Sequence, residues 1–107
     1  MHIRPFLESD TDTVVQLWHE CGLTRSWNDP RHDIRRKLAV QPELFLVGEI
    51  DGVVSATAMA GYDGHRGWVN YLAVSPAHRG QGAGRELMGE VERLLMALGY
   101  PPDTGDP

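Results

Sequence analysis

Residues 70–98 read NYLAVSPAHRGQGAGRELMGEVERLLMAL, and the fold turns on how this stretch is parsed. Tyr71-Leu72-Ala73-Val74 is an apolar run with a β-branched end, stopped by Ser75-Pro76, which suits a buried strand. Further on, Leu87, Met88, Val91, Leu94, Leu95 and Leu98 fall on one helical face, at i, i+1, i+4, i+7, i+8 and i+11. Between strand and helix lies Arg79-Gly80-Gln81-Gly82-Ala83-Gly84. Glycines at such a junction let the backbone approach a ligand closely and leave amide N–H groups free at the positive end of the helix, an arrangement that binds phosphate. A turn that merely joined two elements would need neither the arginine nor the proline ahead of it.

The sequence narrows the anion. A Walker A loop ends in Gly-Lys-Ser/Thr, whereas this one ends in Gly84-Arg85-Glu86. A dinucleotide fingerprint starting at Gly80 or Gly82 needs glycine at Arg85 or Leu87, and too little chain follows for its second strand. What fits is R-x-x-G-x-G preceded by L-A-V-x-P, from Leu72 to Gly84. This pattern resembles the acetyl-CoA signature of the GCN5-related N-acetyltransferases. The resemblance implies that Arg79, Gly80, Gln81, Gly82, Ala83 and Gly84 hold the CoA pyrophosphate, and that the strand Leu72-Ala73-Val74 aligns the pantetheine arm through its main chain. Trp27-Asn28-Asp29-Pro30 and the segment from Gly61 to Gly67, GYDGHRG, are similar to one small bacterial branch of that family.

Composition sets the frame. At 107 residues the chain is one small domain, with a core of modest margin. No apolar run approaches membrane length, and Met1-His2-Ile3-Arg4 lacks the apolar segment of a signal peptide. A single cysteine precludes an intrachain disulfide and suits a reducing cytoplasm. A net charge of −5 argues against a general nucleic-acid binder, so an anionic cofactor must be held by local groups.

Taken in order, Met1–Phe6 reads as a first strand. Ser9 to Asp12 offers a capping-box-like helix start, with Val14, Leu17, Trp18 and Cys21 at helical spacing and Gly22 as the stop. Trp18 and the Cys21 thiol read as packed core. Asp29-Pro30 places an N-cap before a first-position proline, which predicts a helix to about Val40. Ile34 and Leu38 give that helix a thin apolar stripe, while Arg31, Arg35, Arg36 and Lys37 read as its solvated face. Asp29, His32 and Asp33 do not amount to a metal site, since no fourth ligand is at hand. Residues 44–50 and 53–61 predict two strands joined by Asp51-Gly52, a type I′ hairpin signal. Both alternating positions carry apolar residues, predicting a sheet covered on two faces, and the small residues of the second strand leave room for a helix. The order is β-α-α-β-β-β-α. The expected fold is α/β (α+β), a mixed, mostly antiparallel sheet flanked by helices, as the resemblance implies.

The resemblance also implies a domain roughly a third longer, against typical domain sizes of about 100–150 residues. On this reading residues 1–100 are the N-terminal part of an acetyltransferase domain, ending after the CoA-binding helix, with Gly99 as C-cap and Tyr100 folding back on it. Residues 101–107 then form an irregular tail. The strand at Tyr71–Val74 becomes an unpaired edge, and a homodimer through that edge is expected.

The chemistry implied is attack of a primary amine, on a small molecule or peptide, on the acetyl-CoA thioester. Asp63, His65 and Glu49 are the candidates for its base, His65 because it titrates nearest neutrality. Tyr62 and Tyr71 are candidates to line an acceptor pocket, and His78 adjoins the loop. Tyr100 is not placed to act as the acid. The alternative is a catalytically inactive CoA-binding or dimer-forming fragment; a nucleotide-binding fragment is a third reading. No metal, nucleic-acid or membrane partner is expected.

Overall fold

The computed structural model describes residues 1–99; Tyr100 and the tail over 101–107 lie outside the described residues. Strand β1 (His2–Pro5) leads through a 3-10 turn at Glu8–Asp10 into helix α1 (Thr11–Glu20), followed by helix α2 (Pro30–Ala39). Strands β2 (Phe45–Ile50), β3 (Val53–Tyr62) and β4 (Gly67–Val74) follow, and helix α3 (Ala83–Ala97) closes the described chain. The sheet order is β1-β2-β3-β4, every neighbouring pair antiparallel.

Side chains of the sheet divide by alternation between two cores. On one face Phe45, Val47, Met59 and Ala73 pack with Phe6, Val14, Leu17 and Trp18, and with Ile34 of α2. On the other face Leu46, Ala56, Ala58 and Ala60 pack against Leu87, Val91 and Leu95 of α3. The three alanines are the reason α3 lies close to the sheet, as the small residues predict. The buried stripe of α3 is Ala83, Leu87, Val91 and Leu95, so it begins one turn earlier than its large apolar residues suggest. Leu98, expected on that face, is 44% exposed because the helix passes the edge of the core before reaching it.

Turn chemistry follows the sequence closely. Asp51 and Gly52 both take positive φ (53° and 78°), as a type I′ turn demands. Asp29 accepts from the N–H groups of Arg31 and His32, and Pro30 opens α2. The start of α1 differs from expectation. Ser9 and Asp12 form no capping box; instead the Asp10 carboxylate accepts from the Leu7 N–H at 2.8 Å. Asp10 is fixed there because Arg4 holds it with two bonds, at 2.8 and 3.0 Å, while also reaching Glu49 across the sheet.

Arg4 and the Leu7 N–H hold the Asp10 carboxyl below the usual carboxylate range. Its contribution to stability is therefore complete above the unfolded value of about 3.9 and is lost as pH falls through the folded one. Asp10→Asn is expected to cost about 2 kcal/mol at pH 7, a penalty that shrinks on acidification below about pH 4. Urea titrations at both pH values check this, and a pH-independent penalty would contradict it.

Candidate functional site

The glycine loop is built to leave space at the mouth of α3. Pro76–His78 form a 3-10 turn, after which Gly80 and Gly82 adopt left-handed φ of 81° and 84°. A Cβ at either position would meet nothing within 4 Å, so the loop is open on its outer side. Gly82 is the N-cap of α3 and makes no side-chain cap bond, and the first intrahelical bond runs from the Glu86 N–H to the Gly82 carbonyl. The N–H groups at the start of the helix thus lack intrahelical partners, with the positive end of the helix dipole behind them.

The edge of β4 meets this loop. The Ser75 N–H donates to the Ser55 carbonyl at 2.8 Å, so Ser75 turns its main chain toward β3. By antiparallel alternation Val74 turns its own main chain outward. Its carbonyl accepts from Arg79 Nε at 3.1 Å, which docks the loop arginine onto the strand. The Cys21 thiol donates to the same carbonyl at 3.4 Å. Leu72, 43% exposed, also sits on this edge, and β4 has no partner on its outer side among the described residues.

Midway along, β4 is broken by a bulge. Thr57 pairs with Ala73 and Met59 with Asn70, so Ala58 faces two residues, Tyr71 and Leu72. Tyr71 takes a positive φ of 53° to accommodate the extra residue. A buried relay pins it there: Trp18 Nε1 donates to Thr57 Oγ1 at 2.9 Å, and that hydroxyl donates to the Tyr71 carbonyl at 2.8 Å. The Tyr71 ring stacks on Trp18, with centroids 3.8 Å apart. Its hydroxyl donates to Asp33 at 2.6 Å. Burial, then the bond to Asp33, push the Tyr71 phenol up to about 12, so it keeps its proton throughout the neutral range.

Beside the bulge lies an open cavity of about 380 Å³ between α2 and the sheet. From α2 come Asp33, Arg36, Lys37 and Val40, at i, i+3, i+4 and i+7 on one helical stripe. The sheet supplies Met59, Trp68, Asn70 and Tyr71. Lys37 departs from the solvated face expected of the α2 bases. It is 5% exposed, and among the described residues Nζ has no hydrogen-bond partner while lying 5.0 Å over the Trp68 ring. Burial lowers its pKa, and the charge of Glu43 opposes that shift in part. Trp68 lies flat only because residue 61 is glycine, since a Cβ there would meet the indole at 2.2 Å.

The base candidates lie elsewhere. Asp63 accepts from the N–H groups of His65 and Arg66, both at 2.9 Å, in the exposed turn between β3 and β4. Those bonds, Arg66 first, hold the Asp63 carboxyl below its usual range. This turn is at the opposite end of β4 from the glycine loop, about 25 Å away along the strand. Glu49 is on β2, bound to Arg4, with β3 between it and β4. The structure therefore brings none of the three to the loop or to the cavity. Taken singly, Lys37, Trp68 and Asn70 carry no site signal in the sequence, and Asp33 enters there only in the rejected metal set. The i, i+3, i+4 spacing of Asp33, Arg36 and Lys37 was the one available signal.

Among the described residues no group of three or more His, Cys, Asp or Glu is placed to hold a metal, and no helix is long and apolar enough to cross a membrane.

Comparison with known proteins identifies the family. The model of the acetyltransferase (GNAT) family matches residues 11–102. An acetyltransferase of Yersinia enterocolitica is 50% identical over 101 residues, which cover 94% of this chain and 72% of the relative. One from Pectobacterium atrosepticum is 48% identical over the same span. Among solved structures, Ard1 from Thermoplasma volcanium superposes with a TM-score of 0.77 at 22% identity, over 92% of this chain and 66% of its own. Rv2747 from Mycobacterium tuberculosis, solved with CoA, gives a TM-score of 0.75 at 19% identity, over 94% of this chain and 60% of its own. The chain thus spans about two thirds to three quarters of the length of these two curated relatives and of the first of these structures. With the family model matched over most of its residues and half of its aligned positions shared with a named acetyltransferase, the chain belongs to the GNAT acetyltransferase family, whose acyl donor is acetyl-CoA.

Proposed function

We propose that the chain transfers the acetyl group of acetyl-CoA to a primary amine of a small molecule or peptide, in the cytoplasm. Arg79, Gly80, Gln81, Gly82, Ala83 and Gly84 hold the CoA diphosphate, and Leu72, Ala73 and Val74 align the pantetheine arm along the open edge of β4. The observation that carries this reading is the junction itself: unbonded N–H groups at the mouth of α3 adjoin an outward-facing strand backbone. The arm then runs toward the bulge at Tyr71, which sets the thioester beside the cavity under α2. There the amine nitrogen attacks the thioester carbonyl, the C–N bond forms and the C–S bond breaks. The proton leaving the amine passes to Asp33, the one carboxylate lining the cavity among the described residues, and from there by way of water to the departing thiolate, which becomes free CoA and leaves Asp33 ionised again. Tyr71, protonated at neutral pH, orients Asp33 rather than acting as a base.

Calorimetric titration with CoA tests the binding half, and thiol release from acetyl-CoA across an amine panel tests the chemistry. Saturable CoA binding with turnover above background is expected. Binding without turnover would favour the alternative of a catalytically inactive fragment, and tighter binding of ATP or NAD than of CoA would refute the loop assignment.

The outer edge of β4, which has no partner among the described residues, supports a homodimer when CoA is absent, since a second copy and the pantetheine arm compete for the same main-chain groups. Sedimentation velocity is expected to show a dimer that saturating CoA dissociates. A strict monomer at every concentration would contradict it.

A further inference from the structure

We infer that the acceptor amine carries a carboxylate, and that Lys37 is the residue that selects it. The inference rests on the proposed acetyl transfer and names the substrate class of the same site. A lysine ammonium has three donors, and burying one with none of them bonded is costly unless something else satisfies it. Trp68 supplies only a ring face at 5.0 Å, a weak substitute for a counter-ion. Lys37 is one of the lining residues, and its Nζ, buried from solvent, has no hydrogen bond among the described residues, so an anion that enters the cavity and draws Nζ off the Trp68 ring gives it the partner the fold withholds.

The rest of the lining fixes what kind of anion. Asp33 lies one helical turn from Lys37 on the same stripe of α2, roughly 6 Å away at the Cβ atoms. Arg36 stands beside Lys37 on that stripe, and is exposed. The lining from α2 thus carries a carboxylate hydrogen-bonded to Tyr71 and, one helical turn on, two basic side chains. A molecule with an ammonium at one end and a monoanion at the other complements both; a dianion would crowd Asp33. A volume of about 380 Å³ suits a small molecule rather than a length of folded chain. An amino-acid-like acceptor meets all these conditions, with its amine toward Asp33 and the bulge of β4, and its carboxylate toward Lys37 and Arg36.

The test is calorimetric titration of the CoA-saturated protein with the proteinogenic L-amino acids and with their primary amides, which keep the shape and lose the charge. At least one acid is expected to bind about tenfold or more tightly than its amide. Lys37→Met is expected to bring acid and amide to within about twofold of each other with CoA affinity retained, and Lys37→Arg to recover part of the difference. Because Lys37→Met exchanges an unpaired buried ammonium for an apolar chain, its melting temperature is expected to rise. If no acid is distinguished from its amide, or if the discrimination survives in Lys37→Met, the inference is overturned. The acid–amide comparison in the unaltered protein needs no variant, so it decides the matter whatever the folding of Lys37→Met. Repeating it without CoA reads the cavity by itself. Failure of CoA to bind would count against the proposed function, whereas absence of an acid–amide difference in the unaltered protein, or its survival in Lys37→Met, would count against the role of Lys37.

Discussion

Gly82→Glu is expected to lower CoA affinity by about a hundredfold or more, the largest functional effect any single loop substitution should produce. Gly82 is the N-cap of α3 at a φ of 84°, and a Cβ there points into open space. A carboxylate on that Cβ projects into the volume proposed for the diphosphate. Two unit charges about 4 Å apart repel by about 4 kcal/mol at the effective dielectric of a protein surface, nearly three decades in affinity. The substitution also forces a non-glycine residue into left-handed backbone, which costs about 1–2 kcal/mol of fold stability. Gly82→Ala shares that backbone cost without the charge, and it should lose less than about tenfold in CoA affinity. Calorimetry on the pair, with melting temperatures alongside, separates repulsion from strain. Unchanged CoA affinity in Gly82→Glu would remove the diphosphate from this loop.

The largest stability effect short of emptying the core is expected at Thr57, whose side chain is fully buried between Trp18 and the Tyr71 carbonyl. Thr57→Val keeps the shape and removes the hydroxyl. The Trp18 indole N–H then has no acceptor, and the carbonyl of a left-handed Tyr71 has lost its donor. Each orphaned buried group costs about 1–3 kcal/mol, so a loss of about 3 kcal/mol is expected, with a fall in melting temperature of about 12–20 °C. Thr57→Ser retains the hydroxyl and gives up only a methyl group, for about 1 kcal/mol. The bulge is also what bends β4 beside the cavity, so Thr57→Val should weaken CoA as well as unfold sooner. Urea denaturation and CoA titration of both variants check this. Equal destabilisation by serine and valine would show that the hydroxyl does not pin the bulge.

Much of this architecture is legible in the sequence because it is encoded locally. Asp51-Gly52 and Asp29-Pro30 announce a hairpin and a helix start through the conformations those residues prefer, and both form as read. Ala56, Ala58 and Ala60 announce a closely packed helix by their size. The glycines at 80 and 82 are legible for the same reason, as the two left-handed positions of the loop. What stays hidden depends on partners far along the chain. Lys37 looks like its neighbours Arg35 and Arg36, and its burial follows from Trp68, a strand residue admitted by Gly61. The bulge has no glycine to mark it, because Tyr71 is held at positive φ by Thr57 and by stacking on Trp18. Asp10 displaces Ser9 as the helix-start residue through Arg4, which belongs to a different element. The base candidates Asp63, His65 and Glu49 look chemically apt, but where they sit is a property of the sheet order and not of their spacing.

The row of alanines on β3 carries one more implication. Helix α3 rests on Ala56, Ala58 and Ala60 and runs for 15 residues, a rod of about 22 Å pivoting on its narrowest supports. A side chain added beneath a rod tilts it about its remaining supports, and the far end then moves farther than the point of contact. Swapping Ala58 for a larger side chain would therefore act as a lever, misaligning Gly80 and Gly82 with the β4 edge while touching neither.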